Sequence, residues 1–495
     1  MDRVDQDQAA TECFIDPERI RESLRRAPVD GPTIRALLAK AGRLGGLSLD
    51  EAASLLQLDD PALEAELFAA AGRAKQEIYG RRMVLFAPLY LGNRCSNDCL
   101  YCAFRAANRG LARRTLDFPE IEAEARALLR EGHKRLLVLS GEDATEDPSR
   151  LLEAIRRIYA LRETLPSGAV ANIRRINVEV APLTVAGFRD LVAAGIGTYA
   201  CFQESYDPAV YARCHQTGPK ADYFNRLYVM DRAMAGGIDD VGIGALFGLG
   251  DWRFEVLGLL AHAAHLETAF GCGPHTVSVP RIEPAEGAPA AAAVPQAVSD
   301  RDFKRLIAVL RLALPYTGLI LSTRENEGLR DELFRYGVSQ ISAGSRTNPG
   351  AYAADEADVA DQPAPLDTAT GDGMAGHGTA GAQFQLGDHR DLGEVTDALV
   401  QAGYVPSFCT GCYRQGRTGA DFMDLAKPGL IKRFCEPNAL FTYREYLADF
   451  GTPQRQAAAT QLGQRILAEL PDAALRAKVS AGLAAIDGGQ RDVYL

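Results

Sequence analysis

Eight short apolar segments, separated by helical patterns, recur between residues 84 and 342, and this rhythm restricts the chain to very few folds. The segments are Val84–Leu91, Arg135–Ser140, Arg175–Val180, Thr198–Gln203, Asp240–Leu246, Thr276–Pro280, Gly318–Leu321 and Val338–Ser342. Between them lie helical patterns such as Phe118–Glu131, Arg150–Leu165, Thr184–Ala194, Tyr223–Ala235, Arg253–Phe270 and Asp300–Leu312. A strand that is followed each time by a helix belongs in a parallel sheet. Eight such units predict an α/β fold, a closed (β/α)8 barrel of the TIM type. An open partial barrel of six strands is the alternative.

The flanking regions set the domains: a helical extension over 1–80, the barrel over 81–350, an insertion over 351–385 and a mostly helical domain over 386–495. Residues 1 to about 13 read as disordered. Ser48-Leu-Asp-Glu51 is a capping box, and Asp60 caps a helix with Pro61 at its first position. That helix, Ala62–Gln76, is expected outside the barrel. The acidic run from Asp355 and the Gly/Ala/Thr-rich Ala369–Ala382 bury little apolar surface, which predicts a flexible insertion without assigned function. Helices are expected at Leu392–Ala402, Leu440–Asp449, Arg455–Leu470 and Ala474–Ile486.

The chain is 47% hydrophobic, enough for a large core. Its 54 basic against 65 acidic residues argue against a general nucleic-acid partner. No apolar run is long enough for a membrane span. Met1-Asp-Arg-Val-Asp-Gln-Asp-Gln does not read as a secretory signal. Ten cysteines in that setting point to a reducing, cytoplasmic location and to metal ligation rather than disulfides.

Cys95, Cys99 and Cys102 follow the first strand with the spacing C-x3-C-x2-C. Three thiolates on one loop can hold three irons of a [4Fe–4S] cluster, leaving the fourth open for chemistry. A zinc knuckle is the bland alternative. Zinc sites usually supply four ligands, often as two pairs, so a lone triplet fits poorly.

With an aromatic residue, Tyr101, before the third cysteine, the loop resembles the signature of the radical S-adenosylmethionine (SAM) superfamily. The resemblance implies that SAM chelates the open iron and that its cleavage yields a 5′-deoxyadenosyl radical. It also implies that Ser140, Gly141, Glu142 and Asp143, after strand two, bind the SAM amino group. Glu179 and Gln203-Glu204, at the ends of strands three and four, are further SAM candidates. Ordinary polar loop positions are the alternative for these.

Chemistry in such barrels gathers at the carboxyl ends of strands. Arg324, in Ser322-Thr-Arg-Glu325, ends strand seven. A guanidinium there needs an anion, and its fork matches a carboxylate. An amino-acid substrate would supply one, with Ser322, Ser342 and Ser345 assisting. A salt bridge to Glu325 or Glu327 is the alternative.

A second trio, Cys409, Cys412 and Cys435, has the spacing C-x2-C-x22-C. It reads as a second incomplete Fe–S site, since no histidine follows His389 to complete a zinc site. Arg414, Arg417, Lys427, Lys432 and Arg433 are expected to make a positive cradle for it.

Together, the first trio, Ser-Thr-Arg-Glu, Ser342-Ala-Gly-Ser345 and Cys409-Thr-Gly-Cys-Tyr-Arg414 resemble the HydG family of tyrosine lyases, which mature the H-cluster of [FeFe]-hydrogenase. The resemblance implies cleavage of the Cα–Cβ bond of L-tyrosine to p-cresol and dehydroglycine, then formation of carbon monoxide and cyanide. It implies a second cluster carrying an extra iron with free L-cysteine, His275 as a ligand of that iron, and an Fe(CO)2(CN)–cysteine product. An electron donor such as ferredoxin or flavodoxin and other hydrogenase maturation factors are the implied partners. Because His275 starts strand six, the C-terminal domain is expected to cap the mouth opposite Cys95–Cys102, making the barrel interior a channel. A ThiH-type 2-iminoacetate synthase of thiazole biosynthesis is the first alternative, and a non-catalytic Fe–S scaffold the second.

Overall fold

A computed structural model describes residues 13–26, 29–354, 381–470 and 472–495. The stretch read as disordered lies outside the described residues except for Cys13, and most of the insertion does too.

The eight strands form where the pattern placed them. They are β1 (Arg82–Tyr90), β2 (Arg135–Leu139), β3 (Arg175–Glu179), β4 (Thr198–Ala200), β5 (Asp240–Gly244), β6 (Thr276–Ser278), β7 (Gly318–Leu321) and β8 (Gln340–Ser342). Each pairs in parallel with the next, and β1 closes on β8 through Val84↔Gln340, Leu85↔Ile341 and Phe86↔Ser342. Closure excludes the open six-strand alternative. All nine residues of β1 are buried, as expected for a strand covered on both faces.

The helices between strands are anchored by side-chain caps. Asp117 and Glu120 form a capping box before Phe118–Glu131, and Ser299 caps Asp300–Ala313. Two segments differ from expectation. The helix expected to reach Leu165 ends at Ala160, because Glu163–Thr164 turns back in a two-strand ribbon onto Val170–Ala171. The helix expected over Tyr223–Ala235 breaks at Tyr228 into Tyr223–Leu227 and Val229–Ala235.

In the N-terminal extension both predicted caps form: Ser48 with Glu51, and Asp60 before Pro61–Tyr79. The long helix buries Leu67, Ala71, Ala74 and Ile78 and joins the same apolar core as the outer barrel helix Asp300–Ala313.

A ninth strand, Val405–Ser407 (β9), has no period-two signal because it is only three residues long. It pairs in parallel with the first residues of β1, Arg82↔Val405 through Val84↔Ser407. That pairing seats the C-terminal helices, chiefly Lys432–Phe450, under the amino ends of the barrel strands. Arg174, just before β3, donates to Glu445 at 3.1 Å across this junction.

Candidate active site

At the carboxyl ends of the strands, here the upper mouth, one cavity is lined by Cys95, Cys99, Cys102, Tyr101, Ser140, Gly141, Glu142, Glu179, Ser322, Arg324 and Ser342. The loop after β1 and the loop after β2 brace each other. Ser96 N–H donates to the Glu142 carbonyl at 2.9 Å, and Gly141 N–H to the Gly92 carbonyl at 2.9 Å. Gly141 is required here: a Cβ would stand 2.2 Å from the Arg94 carbonyl oxygen.

The three thiols are free. Burial raises the pKa of Cys95, of Cys99 to about 12 and of Cys102 to about 11. Thiols this hard to ionise become thiolates when a metal replaces their protons. Among the described residues no three His, Cys, Asp or Glu side chains converge as they would on a single ion. A polynuclear cluster, which takes each thiolate on a different iron, fits this donor set.

A charged network, whose pairings the sequence does not show, surrounds the trio. Glu142 pairs with Arg226 at 2.8 Å and accepts from Asn97 at 2.8 Å. Lys220 pairs with Glu204 at 2.8 Å, and its backbone N–H donates to the Asn97 side chain at 2.8 Å. Glu204 adopts φ 68°, a conformation rare for a non-glycine residue. Buried Glu255 holds the next turn by accepting from Ser205 Oγ and Tyr206 N–H, each at 2.6 Å. Burial opposes ionisation of Glu142, but Arg226 and Lys220 hold its pKa down to about 2. Burial and the neighbouring Glu204 push Glu179 up to about 7. Tyr101 donates to His215 Nε2 at 2.8 Å, while His215 Nδ1 donates to the Tyr211 carbonyl at 2.9 Å.

Two expected SAM contacts are not in the cavity wall. Asp143 turns outward and accepts from Thr145 N–H and Oγ1 at 2.9 and 2.7 Å. Gln203 is buried, and neither amide atom of its side chain has a hydrogen-bond partner among the described residues.

Arg324 enters the cavity and forms no ion pair among the described residues; Glu325 is taken by Arg281 at 3.0 Å. Its guanidinium lies 3.4 Å from the centroid of the Phe384 ring. Ser322 Oγ accepts from Arg324 N–H at 3.4 Å and Ser342 Oγ from Thr323 N–H at 3.2 Å. The buried Ser345 hydroxyl also lines the cavity and has no hydrogen-bond partner among the described residues.

Phe384 and Gln383 correct the reading of 351–385 as one structureless insertion. Gln383 Nε2 donates to Cys102 Sγ at 3.6 Å, its Oε1 accepts from Tyr90 at 2.7 Å, and its N–H donates to the Thr347 carbonyl at 3.0 Å. The last residues of that stretch belong to the upper site.

At the lower mouth a second cavity is lined by Cys409, Cys412, Cys435, His275, Tyr413, Arg82, Arg135 and Gln340. The two cysteine trios therefore face opposite ends of the barrel. Burial drives Cys435 up to about 12, and the thiols are again free. His275 Nε2 lies 3.3 Å from the Tyr413 hydroxyl, and its Nδ1 3.5 Å from Asp240 Oδ1. Burial lowers the His275 pKa, favouring the neutral imidazole that a metal needs.

Three of the five cations expected to make a cradle are neutralised by acids. Arg414 is paired with Asp492, Lys427 with Glu267 and Arg433 with Asp472. Positive charge comes instead from the barrel: Arg82, Arg135 and Arg175, the first residues of β1, β2 and β3. Gln340 lines both cavities, and Thr198 and Thr276 extend the upper one down to the amino ends of their strands.

A closed parallel barrel with the C-x3-C-x2-C loop after its first strand is the architecture of a radical SAM enzyme, and residues 89–260 match the Radical SAM superfamily model. Residues 278–405 match the Biotin and Thiamin Synthesis associated domain. The 2-iminoacetate synthase of Escherichia coli (strain K12) is 33% identical over 329 residues, covering 66% of this chain and 83% of the relative. Two solved structures are alike along nearly the whole chain. One, of a HydG described as a maturase of the [FeFe]-hydrogenase, has a TM-score of 0.88 at 41% identity, covering 97% of this chain and 100% of its own. HydG from Carboxydothermus hydrogenoformans has a TM-score of 0.76 at 41% identity over 94% and 97% of the two chains. The chain belongs to the HydG family of radical SAM proteins. Its class uses SAM and a [4Fe–4S] cluster. Among the described residues no helix is long and apolar enough to cross a membrane.

Proposed function

We propose that the chain cleaves L-tyrosine between Cα and Cβ at the upper mouth and completes a small-molecule iron complex at the lower one. The observation carrying this reading is the pair of free cysteine trios at opposite ends of one barrel, with His275 beside the second.

When bound at Cys95, Cys99 and Cys102, the cluster and SAM supply an electron and the acceptor of a substrate hydrogen atom. The chain's own residues do the rest. Gly141 admits close backbone approach, and Glu142, held ionised by Arg226, presents a carboxylate suited to an ammonium group. Arg324, without a carboxylate partner among the described residues, receives the tyrosine carboxylate, with Ser322, Ser342 and Ser345 beside it. Glu179, with its pKa near neutrality, can hold or release a proton at the cavity wall. Burial excludes water from the reactive fragment.

The products are p-cresol and dehydroglycine. The fragment passes through the barrel, past Thr198, Thr276 and Gln340, and yields carbon monoxide and cyanide. Cys409, Cys412 and Cys435 would hold the second cluster. Iron with free L-cysteine is the substrate at the lower mouth, where neutral His275 presents Nε2 as a ligand, and the product is an Fe(CO)2(CN)–cysteine precursor of the H-cluster. A reducing protein and other maturation factors complete the pathway.

Anaerobic incubation with tyrosine, SAM and a reductant tests the reading. It expects p-cresol, carbon monoxide and cyanide. The likeness to 2-iminoacetate synthases supports a second reading, in which the C-terminal cysteines are only structural. That reading expects p-cresol without either diatomic.

A further inference from the structure

Three guanidinium groups at the lower mouth are buried, and none of them forms an ion pair among the described residues. Arg82, Arg135 and Arg175 are 8%, 7% and 4% exposed. Register sets Arg135 directly beside Arg175. The Nε atoms of Arg82 and Arg135 are buried with no hydrogen-bond partner among the described residues. Arg135 donates one NH1 bond to the Cys409 carbonyl at 2.8 Å. Arg175 bonds only neutral groups, Asn177 Oδ1 at 3.1 Å and Thr198 Oγ1 at 3.3 Å, and lies over the Tyr413 ring. The backbone reserves room for it: a Cβ at Gly197 would lie 1.3 Å from the Arg175 guanidinium carbon.

The charges do not close on the protein alone, nor with a cluster added. Three thiolates around a doubly positive cubane leave one net negative charge. Asp240, the carboxylate that faces Arg175 and His275, adds another. Against them stand three guanidinium groups, so the mouth keeps a surplus positive charge in a place where unpaired charge is costly. The forked donors of an arginine match a carboxylate.

We propose that Arg82 and Arg135, which line the lower cavity, backed by Arg175, form a binding site for a small carboxylate anion at the lower mouth, a second station below the one at Arg324. The inference rests on the reading of the lower mouth as the place where the fragment is consumed. Two ligands share this chemistry: the carboxylate fragment released from tyrosine, and the carboxylate of the free amino acid. The site holds the anion against the second cluster instead of letting it return through the barrel.

The test uses full-length, cluster-loaded protein carrying Arg324→Gln, so the upper guanidinium cannot account for any signal. Glyoxylate, a stable carboxylate of the fragment's size, is the probe, read by calorimetry and by the electron paramagnetic resonance signal of the lower cluster. Binding with a changed signal is expected. Adding Arg82→Gln or Arg135→Gln is expected to weaken it by about tenfold, the loss of a charge-assisted pair, at unchanged iron content. Competition by L-cysteine and not by cysteamine would assign the site to the amino acid, and competition by neither to the fragment; both support the site. No glyoxylate binding to the Arg324→Gln protein, arginine variants that bind like their parent, or weakening that merely tracks lost iron would each overturn it. The signal change in the parent serves if an arginine variant fails to fold. Production of p-cresol by the unaltered enzyme tests the tyrosine reading separately.

Discussion

The side chain of Gln383 reaches Cys102, Nε2 to Sγ at 3.6 Å, and so ties the end of a weakly patterned stretch to the loop that defines the enzyme class. A hydrogen bond to a cluster thiolate stabilises the more negative, reduced state. Gln383→Ala is expected to shift the potential of the upper cluster downward and to leave iron at the lower site unchanged. A redox titration followed by electron paramagnetic resonance reads both; an unmoved potential would show that the contact has no electronic role.

Arg324 stands in the upper cavity without a carboxylate partner among the described residues. On the proposed reading, Arg324→Gln removes charge-assisted bonds to the tyrosine carboxylate, a loss of about 3 kcal/mol, or roughly a hundredfold rise in KM for tyrosine. Cleavage of SAM in the absence of tyrosine should continue. Steady-state p-cresol formation against tyrosine concentration checks it, and an unchanged KM would place the substrate carboxylate elsewhere.

The Glu142–Arg226 pair makes stability depend on acid. The Glu142 pKa is lowered from 4.5 to about 2, so its contribution is fully present above 4.5 and is lost as pH falls towards 2. Glu142→Gln leaves Arg226 buried and unpaired and should cost about 3 kcal/mol. Thermal melts of the cluster-free protein under reducing conditions should show a lower Tm for the variant near neutrality. The gap should narrow as pH falls below 4.5 and close near 2; parallel melting curves at all pH values would contradict the assignment.

Removing the second trio should split the chemistry. The double variant Cys409→Ala/Cys412→Ala is expected to lose one of two [4Fe–4S] signals, to keep p-cresol formation and to lose carbon monoxide and cyanide chemistry. Iron analysis with product assays reads this directly. Loss of p-cresol together with the diatomics would mean that the lower trio serves the fold.

Much of the fold was legible because its determinants are short-ranged. A strand such as Arg82–Tyr90 is largely an apolar run, and many of the helices start at a residue such as Ser48, Asp60 or Ser299 whose side chain bonds the first turn. The Cys95–Cys102 loop was legible because ligand spacing is local. The strand Val405–Ser407 was not, since three residues carry too little pattern. Nor could Asp143 be told from Glu142 as a cavity residue, because a one-residue step in a loop reverses the direction of the side chain.

What the chain's order of residues settled by itself is the barrel, the spacing of the two cysteine trios and the arginine at the end of strand seven. Only tertiary structure decided which charges surround those thiolates. Arg82, Arg135 and Arg175 lie far apart along the chain and meet because parallel strands bring all their first residues to one mouth, whereas nearer cations such as Lys427 and Arg433 are neutralised by Glu267 and Asp472. Buried charge is balanced over a whole cavity, and no segment carries that balance in its own composition.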